Sequence, residues 1–148
     1  MTVSIAITSG KGGVGKTNCA VNVALSLSKI GKKVVLFDTD FGMANAHILL
    51  GRNPKHNAAE FLRGDVQIDQ ILSDAPENLK FIAGGSGLLE MLNLDNQARY
   101  RILQSLSDLE DQIDYLLVDT PAGASDSTLF FASACDIPVV VLVAEPTS

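Results

Sequence analysis

The chain has 148 residues, 47% hydrophobic and 19% charged, with a net charge of −6. That length suits one domain with a real core and is short for two, and the acidic balance argues against a surface built as a whole for nucleic acid or anionic membrane. No apolar run reaches the ~18 residues of a membrane span, and MTVSIAITSG lacks the pattern of a secretory signal. Cys19 and Cys135 fit no metal spacing and read as small buried residues of a reducing cytosol. Lys32 and Lys33 open a strand and belong to no wider basic cluster, so nucleic acid is not an expected partner.

In chain order, VSIAIT (3–8) is an apolar, β-branched run that predicts a buried strand. Residues 16–30 carry Cys19, Ala20, Val23, Ala24, Leu27 and Ile30 at helical spacing, with Gly31 as the stop. KVVLFD (33–38) is a second strand, AHILL runs up to Gly51, and short helical patterns follow at 58–63 and 67–73. LKFIA (79–83) predicts a third strand, and GGSG (84–87) turns it into a helix. Asp95 caps a further helix whose Ala98, Ile102, Leu103, Leu106 and Leu109 face the core. YLLVD (115–119), a helix over 126–135 and the strand IPVVVLV (137–143) complete the pattern. Strands apolar throughout that alternate with helices predict a three-layer α/β domain around a mainly parallel sheet. In AEPTS, Thr147 and Ser148 are good caps for a following helix, and IPVVVLV alone would be an exposed edge. The sequence therefore reads as the N-terminal part of a longer domain.

The chemistry concentrates in SGKGGVGKTN (9–18), which satisfies two phosphate motifs at once. Gly10, Gly12 and Gly15 spell the dinucleotide fingerprint, and Asp38 ends the second strand where a ribose-binding acid belongs. Gly10, Gly15, Lys16 and Thr17 spell the triphosphate loop G-x-x-x-x-G-K-T. The triphosphate reading explains more residues. Lys16 supplies charge to β/γ-phosphates, Thr17 supplies a hydroxyl for Mg²⁺, and Asp119 ends an apolar strand as a carboxylate for the metal's water shell. Lys11 is required by neither motif.

K-G-G-V-G-K-T with its early extra lysine resembles the deviant Walker A motif of the MinD/ParA family of ATPases, and the likeness continues through D-T-D-F-G-M-A-N (38–45) and D-T-P-A-G (119–123). K-T-N at 16–18, AGGSG (83–87), Leu49-Leu50-Gly51 and VAEPTS resemble the FlhG/FleN branch, which sets flagellar number and position. The resemblance implies a P-loop NTPase domain with five strands in the order 3-2-4-1-5 and further strands beyond this span. It implies ATP and Mg²⁺ as ligands. Gly10, Lys11, Gly12, Gly13, Val14, Gly15, Lys16, Thr17 and Asn18 would form the nucleotide site, and Thr17, Asp38 and Asp119 the metal site. Lys11, Lys16 and Asp40 would be catalytic, Lys11 by reaching the partner's nucleotide across an ATP-bound homodimer and Asp40 by orienting the attacking water. Asn45 would lie near the dimer interface, and Asn18 stands where many relatives carry a hydroxyl.

The function so implied is a dimerising ATPase switch that positions or counts a flagellum or division site. It would be cytoplasmic, act on an effector protein, and meet the inner membrane face only through a tail beyond these residues. Two alternatives stay open: an iron–sulfur carrier of the Mrp type, whose C-x-x-C would lie further on, and a nucleotide-binding module that does not hydrolyse. Other signals are weaker. GGSG lacks the last glycine of a hydrolase elbow, Leu88 taking its place. His47 and His56 lack partners at metal spacing, and Met43 and Met91 read as core.

Overall fold

In the computed structural model, which describes residues 1–39 and 46–144, β1 (Val3–Thr8) pairs in parallel with two strands at once. One is β5 (Tyr115–Asp119), the other β6 (Ile137–Val140). On the far side of β5 lies β2 (Val34–Asp38), followed by β4 (Lys80–Ala83), all parallel. The sheet order is β3-β4-β2-β5-β1-β6. Its five parallel members stand in the expected order. The addition is β3 (Ser73–Asp74), two residues antiparallel to β4 and tied to it by an ion pair between Lys80 and Asp74. Two residues are too few for any periodicity to reveal.

All five residues of β2 are buried, as a central strand covered on both faces requires. Alternate side chains divide between two cores. Val34, Leu36, Leu117 and Ile7 face α1 (Lys16–Lys29) and α2 (Ala46–Leu49). Val35, Phe37, Leu116 and Val118 face the layer of α3 (Ala58–Arg63), α4 (Leu88–Leu94), α5 (Asn96–Ser107) and α6 (Asp126–Ala134). Phe131 of α6 meets Phe37 edge-on, ring centroids 6.0 Å apart. Helix starts carry their caps: Asp95 accepts from Gln97 N at 2.8 Å, and Asn57 with Glu60 forms a reciprocal capping box.

The phase of α1 departs from the apolar pattern. The helix buries Lys16, Ala20, Val21, Ala24 and Ser28, while Val23 is 36% and Ile30 71% exposed. Lys16 must turn inward at the first turn, and positions four residues on follow it to the same face. The cysteines also correct an expectation. Both are free and only partly buried, and desolvation raises the Cys135 thiol to about 11.

β6 forms one edge of the sheet and is shorter than the apolar run predicts, although Val141 N still donates to Thr8 O at 2.8 Å. Ile137, Val140 and Leu142 are 45%, 58% and 68% exposed. Asp136 fastens the start of this edge, its Oδ2 accepting from both the amide and the hydroxyl of Ser4 at 2.8 Å.

Candidate nucleotide site

The site stands where β1, β2 and β5 end side by side. Ile7 and Asp38 are both register partners of Asp119, so the two carboxylates are neighbours on the α1 face of the sheet. From Thr8 the chain enters the glycine loop, held low by Ser9. The Ser9 hydroxyl donates to Lys11 O at 3.0 Å, and its carbonyl accepts from Gly123 N at 2.9 Å. Gly13 and Gly15 have φ of +76° and +85°, a region L side chains rarely adopt, and Gly15 is the N-cap residue just before α1. A Cβ at either would meet nothing within 4 Å, so backbone shape rather than crowding calls for glycine there.

Lys16 and Thr17 converge on one carboxylate. The Lys16 ammonium pairs with Asp119 Oδ1, and the Thr17 hydroxyl donates to Asp119 Oδ2 at 2.8 Å. Lys16, Asp38 and Asp119 are all buried. The carbonyl of Asp119 is gripped as well, by Thr39 N at 3.1 Å and Thr39 Oγ1 at 2.7 Å. One residue on, Thr120 repeats the device on Ile7 O, through its amide at 3.1 Å and its hydroxyl at 2.9 Å. These threonines lock the three strand ends together, and sequence reasoning missed them. The signal was available: β2 and β5 both end on Asp and continue into Thr, with Asp38 and Asp119 in register. Gly84 was read as a turn residue, yet a Cβ there would lie 2.8 Å from Asp38 O, so the third strand end also needs glycine for close approach.

The structure thus brings together Lys16, Thr17, Asp38 and Asp119 beneath the loop of Gly10, Lys11, Gly12, Gly13, Val14 and Gly15, with Asn18 exposed on the first turn of α1. Asp40 and Asn45 lie outside the described residues. Among the described residues no group of three or more His, Cys, Asp or Glu could hold a metal. The oxygens of Thr17, Asp38 and Asp119 are hard donors of the kind Mg²⁺ takes when it keeps most of its waters.

A family model described as an AAA domain matches residues 2–147. The antiactivator FleN of Pseudomonas aeruginosa is 40% identical over 144 residues, covering 97% of this chain and 51% of that protein. The chain belongs to the MinD/ParA family of ATPases. Within the family it is also similar to the flagellum site-determining protein YlxH of Helicobacter pylori, 39% identical over 150 residues and covering 99% of this chain and 50% of that one. Among solved structures, MinD of Pyrococcus horikoshii complexed with Mg-ADP superposes with a TM-score of 0.82 at 26% identity, over 99% of this chain and 60% of that one. The chain therefore spans about half the length of the curated relatives it matches. Among the described residues, no helix of this family member is long and apolar enough to cross a membrane.

Proposed function

We propose that this chain is the nucleotide-binding part of an ATP-hydrolysing dimerisation switch that positions or counts a flagellum or division site. The observation that carries the reading is the convergence of buried Lys16 and part-buried Thr17 on the buried carboxylate of Asp119, under a loop whose Gly13 and Gly15 take the left-handed backbone conformation. Such a cluster offers a cation for β/γ-phosphate beside a hydroxyl and a carboxylate for its metal. A dinucleotide site has no use for that set.

In this reading the amides of Gly12, Gly13, Val14, Gly15 and Lys16 hold the phosphates, with Gly10 and Asn18 at the margins. The Lys16 ammonium leaves Asp119 to neutralise phosphate charge, which frees that carboxylate to join Thr17 and Asp38 around Mg²⁺. Thr17, Asp38 and Asp119 would hold Mg²⁺, which would supply positive charge beside the phosphate oxygens. Asp40 orients the attacking water and Lys11 reaches the nucleotide of a second copy, so turnover requires a homodimer closed over ATP. Relatives named for flagellum and septum site determination support the cellular role, exercised on an effector protein in the cytoplasm. Any contact with the inner membrane face would be peripheral, through residues beyond these.

The test is a titration with a triphosphate analogue beside phosphate release. Lys16→Ala loses a charged hydrogen bond worth about 1.5–3 kcal/mol, roughly ten- to hundredfold in affinity. Asp40→Ala keeps affinity and loses turnover, and Lys11→Ala loses the rise in turnover with protein concentration. Equal affinity of Lys16→Ala and wild type, or tighter binding of NAD than of the analogue, overturns the reading.

A further inference from the structure

Where β2, β5 and β1 run out, three threonines stand at one level of the sheet. Thr39, Thr120 and Thr8 follow Asp38, Asp119 and Ile7, which are register partners. Each hydroxyl donates to the next strand, always to the carbonyl of the residue in register with the threonine's predecessor. Thr39 Oγ1 donates to Asp119 O at 2.7 Å, Thr120 Oγ1 to Ile7 O at 2.9 Å, and Thr8 Oγ1 to Val139 O at 3.3 Å. The row therefore runs in one direction across four strands, from β2 through β5 and β1 to β6. All three threonines are buried.

A parallel ladder offers a strand carbonyl one backbone amide. Thr39 N supplies it to Asp119 O at 3.1 Å, and the Thr39 hydroxyl then takes the second lone pair of the same oxygen. At the other end of that peptide unit, Thr120 N donates to Ile7 O at 3.1 Å. The peptide after Asp119 is thus held at its oxygen and at its nitrogen. The β2 end is also backed from behind. A Cβ at Gly84 would lie 2.8 Å from Asp38 O and 3.4 Å from Thr39 Cα, so β4 leaves this end no room to shift that way. A short aspartate side chain keeps its carboxyl close to its own backbone. Fixing this peptide therefore fixes where Asp119 Oδ1 and Oδ2 point, and those oxygens meet Lys16 and Thr17.

We propose that Thr39 is a positioning residue, whose hydroxyl acts through the Asp119 carbonyl to hold the Asp119 carboxylate at the angle that Lys16 and Thr17 require. Satisfying a buried carbonyl does not by itself call for the hydroxyl, because the Thr39 amide already does so. The effect on the Lys16–Asp119 pair stands without any ligand. Its extension to Mg²⁺ rests on the function proposed above, in which the same carboxylate joins the metal site. Mg²⁺ demands near-octahedral geometry, whereas Ca²⁺ accepts irregular sets of oxygens. A loosened Asp119 would therefore weaken Mg²⁺ more than Ca²⁺.

The test compares Thr39→Val, which removes the hydroxyl and keeps the branched shape, with Thr39→Ser, which keeps the hydroxyl. Ile102→Val, at a buried position of α5, controls for a modest loss of stability alone. In the ligand-free chain, the coupling constant between Lys16 and Asp119 is read in each background from urea unfolding of Lys16→Met and Asp119→Leu, singly and together. Thr39→Val lowers it by about fivefold or more, while Thr39→Ser and Ile102→Val leave it within about twofold. With a non-hydrolysable triphosphate analogue present, Thr39→Val also raises the Mg²⁺ midpoint by about fivefold and the Ca²⁺ midpoint by less. Thr39→Ala takes the place of Thr39→Val if the latter does not fold, with the same outcomes. A coupling constant unchanged by losing the hydroxyl, or lowered as much by Ile102→Val, overturns the proposal. So does a Mg²⁺ midpoint that rises no more than the Ca²⁺ one. A wild type that binds no triphosphate overturns the function proposed above instead, and the coupling constant then decides the role of Thr39.

Discussion

Lys16 and Asp119 are both buried and bonded to each other, so each offsets the other's loss of water. Removing one partner of such a pair leaves a naked charge, at a cost of about 3–5 kcal/mol, whereas replacing both with apolar groups is often neutral. Lys16→Met and Asp119→Leu are each expected to destabilise the ligand-free chain by that amount. The double variant should recover most of the loss, as urea unfolding in a double-mutant cycle will show. Two additive losses would mean that the pair contributes nothing as a pair. The conserved stability of the double variant would come without activity, since both residues belong to the proposed site.

At the scale of elements, a side-chain clasp fastens the start of β6. The backbone amide of Ser4, and then its hydroxyl, hold the Asp136 carboxyl below its usual 3.8. A carboxyl lowered on folding stabilises the fold above its unfolded value and loses that contribution as pH falls through the lowered one. The clasp is therefore intact at neutral pH and is lost only as pH falls through the carboxyl's lowered value. Asp136→Asn should reduce amide-exchange protection along β6 at pH 7, and the deficit should shrink steadily as pH falls and the wild-type carboxyl takes up its proton; a deficit that does not change with pH would refute the role. The helices teach a related lesson about local reading. Asp95 and the GGSG turn were legible because a cap and a glycine turn are local signals. The rotation of α1 was not, because it is set by a carboxylate about a hundred residues away in sequence. The threonines at 39 and 120 were hidden for the same reason: their acceptors are backbone atoms of other strands.

Across the whole molecule the sheet order was legible through the family resemblance, and the three layers through strands that are apolar on both faces. β3 escaped because a two-residue strand has no pattern. The β6 edge has a consequence for handling the 148-residue chain. An exposed edge with Ile137, Val140 and Leu142 outward offers unpaired backbone to another chain. This chain should self-associate at high concentration, and Val140→Lys should shift sedimentation toward monomer without changing its stability by more than about 1 kcal/mol. Unchanged sedimentation in the variant would exonerate the edge.

On the proposed function, the bond from Lys16 to Asp119 makes the protein its own competitor. An incoming phosphate would have to win the ammonium from a tethered carboxylate, so the measured affinity would be the intrinsic one reduced by the fraction of time the lysine is released. Mg²⁺ would change that contest, because it would offer Asp119 another cation. Asp119→Asn removes the competitor and the metal's attraction together. On the proposed function, it should bind nucleotide without Mg²⁺ more tightly than wild type and gain little when Mg²⁺ is added, as calorimetry in each condition will reveal. A wild-type chain that binds equally well with and without the metal would show that the carboxylate never stood in the way.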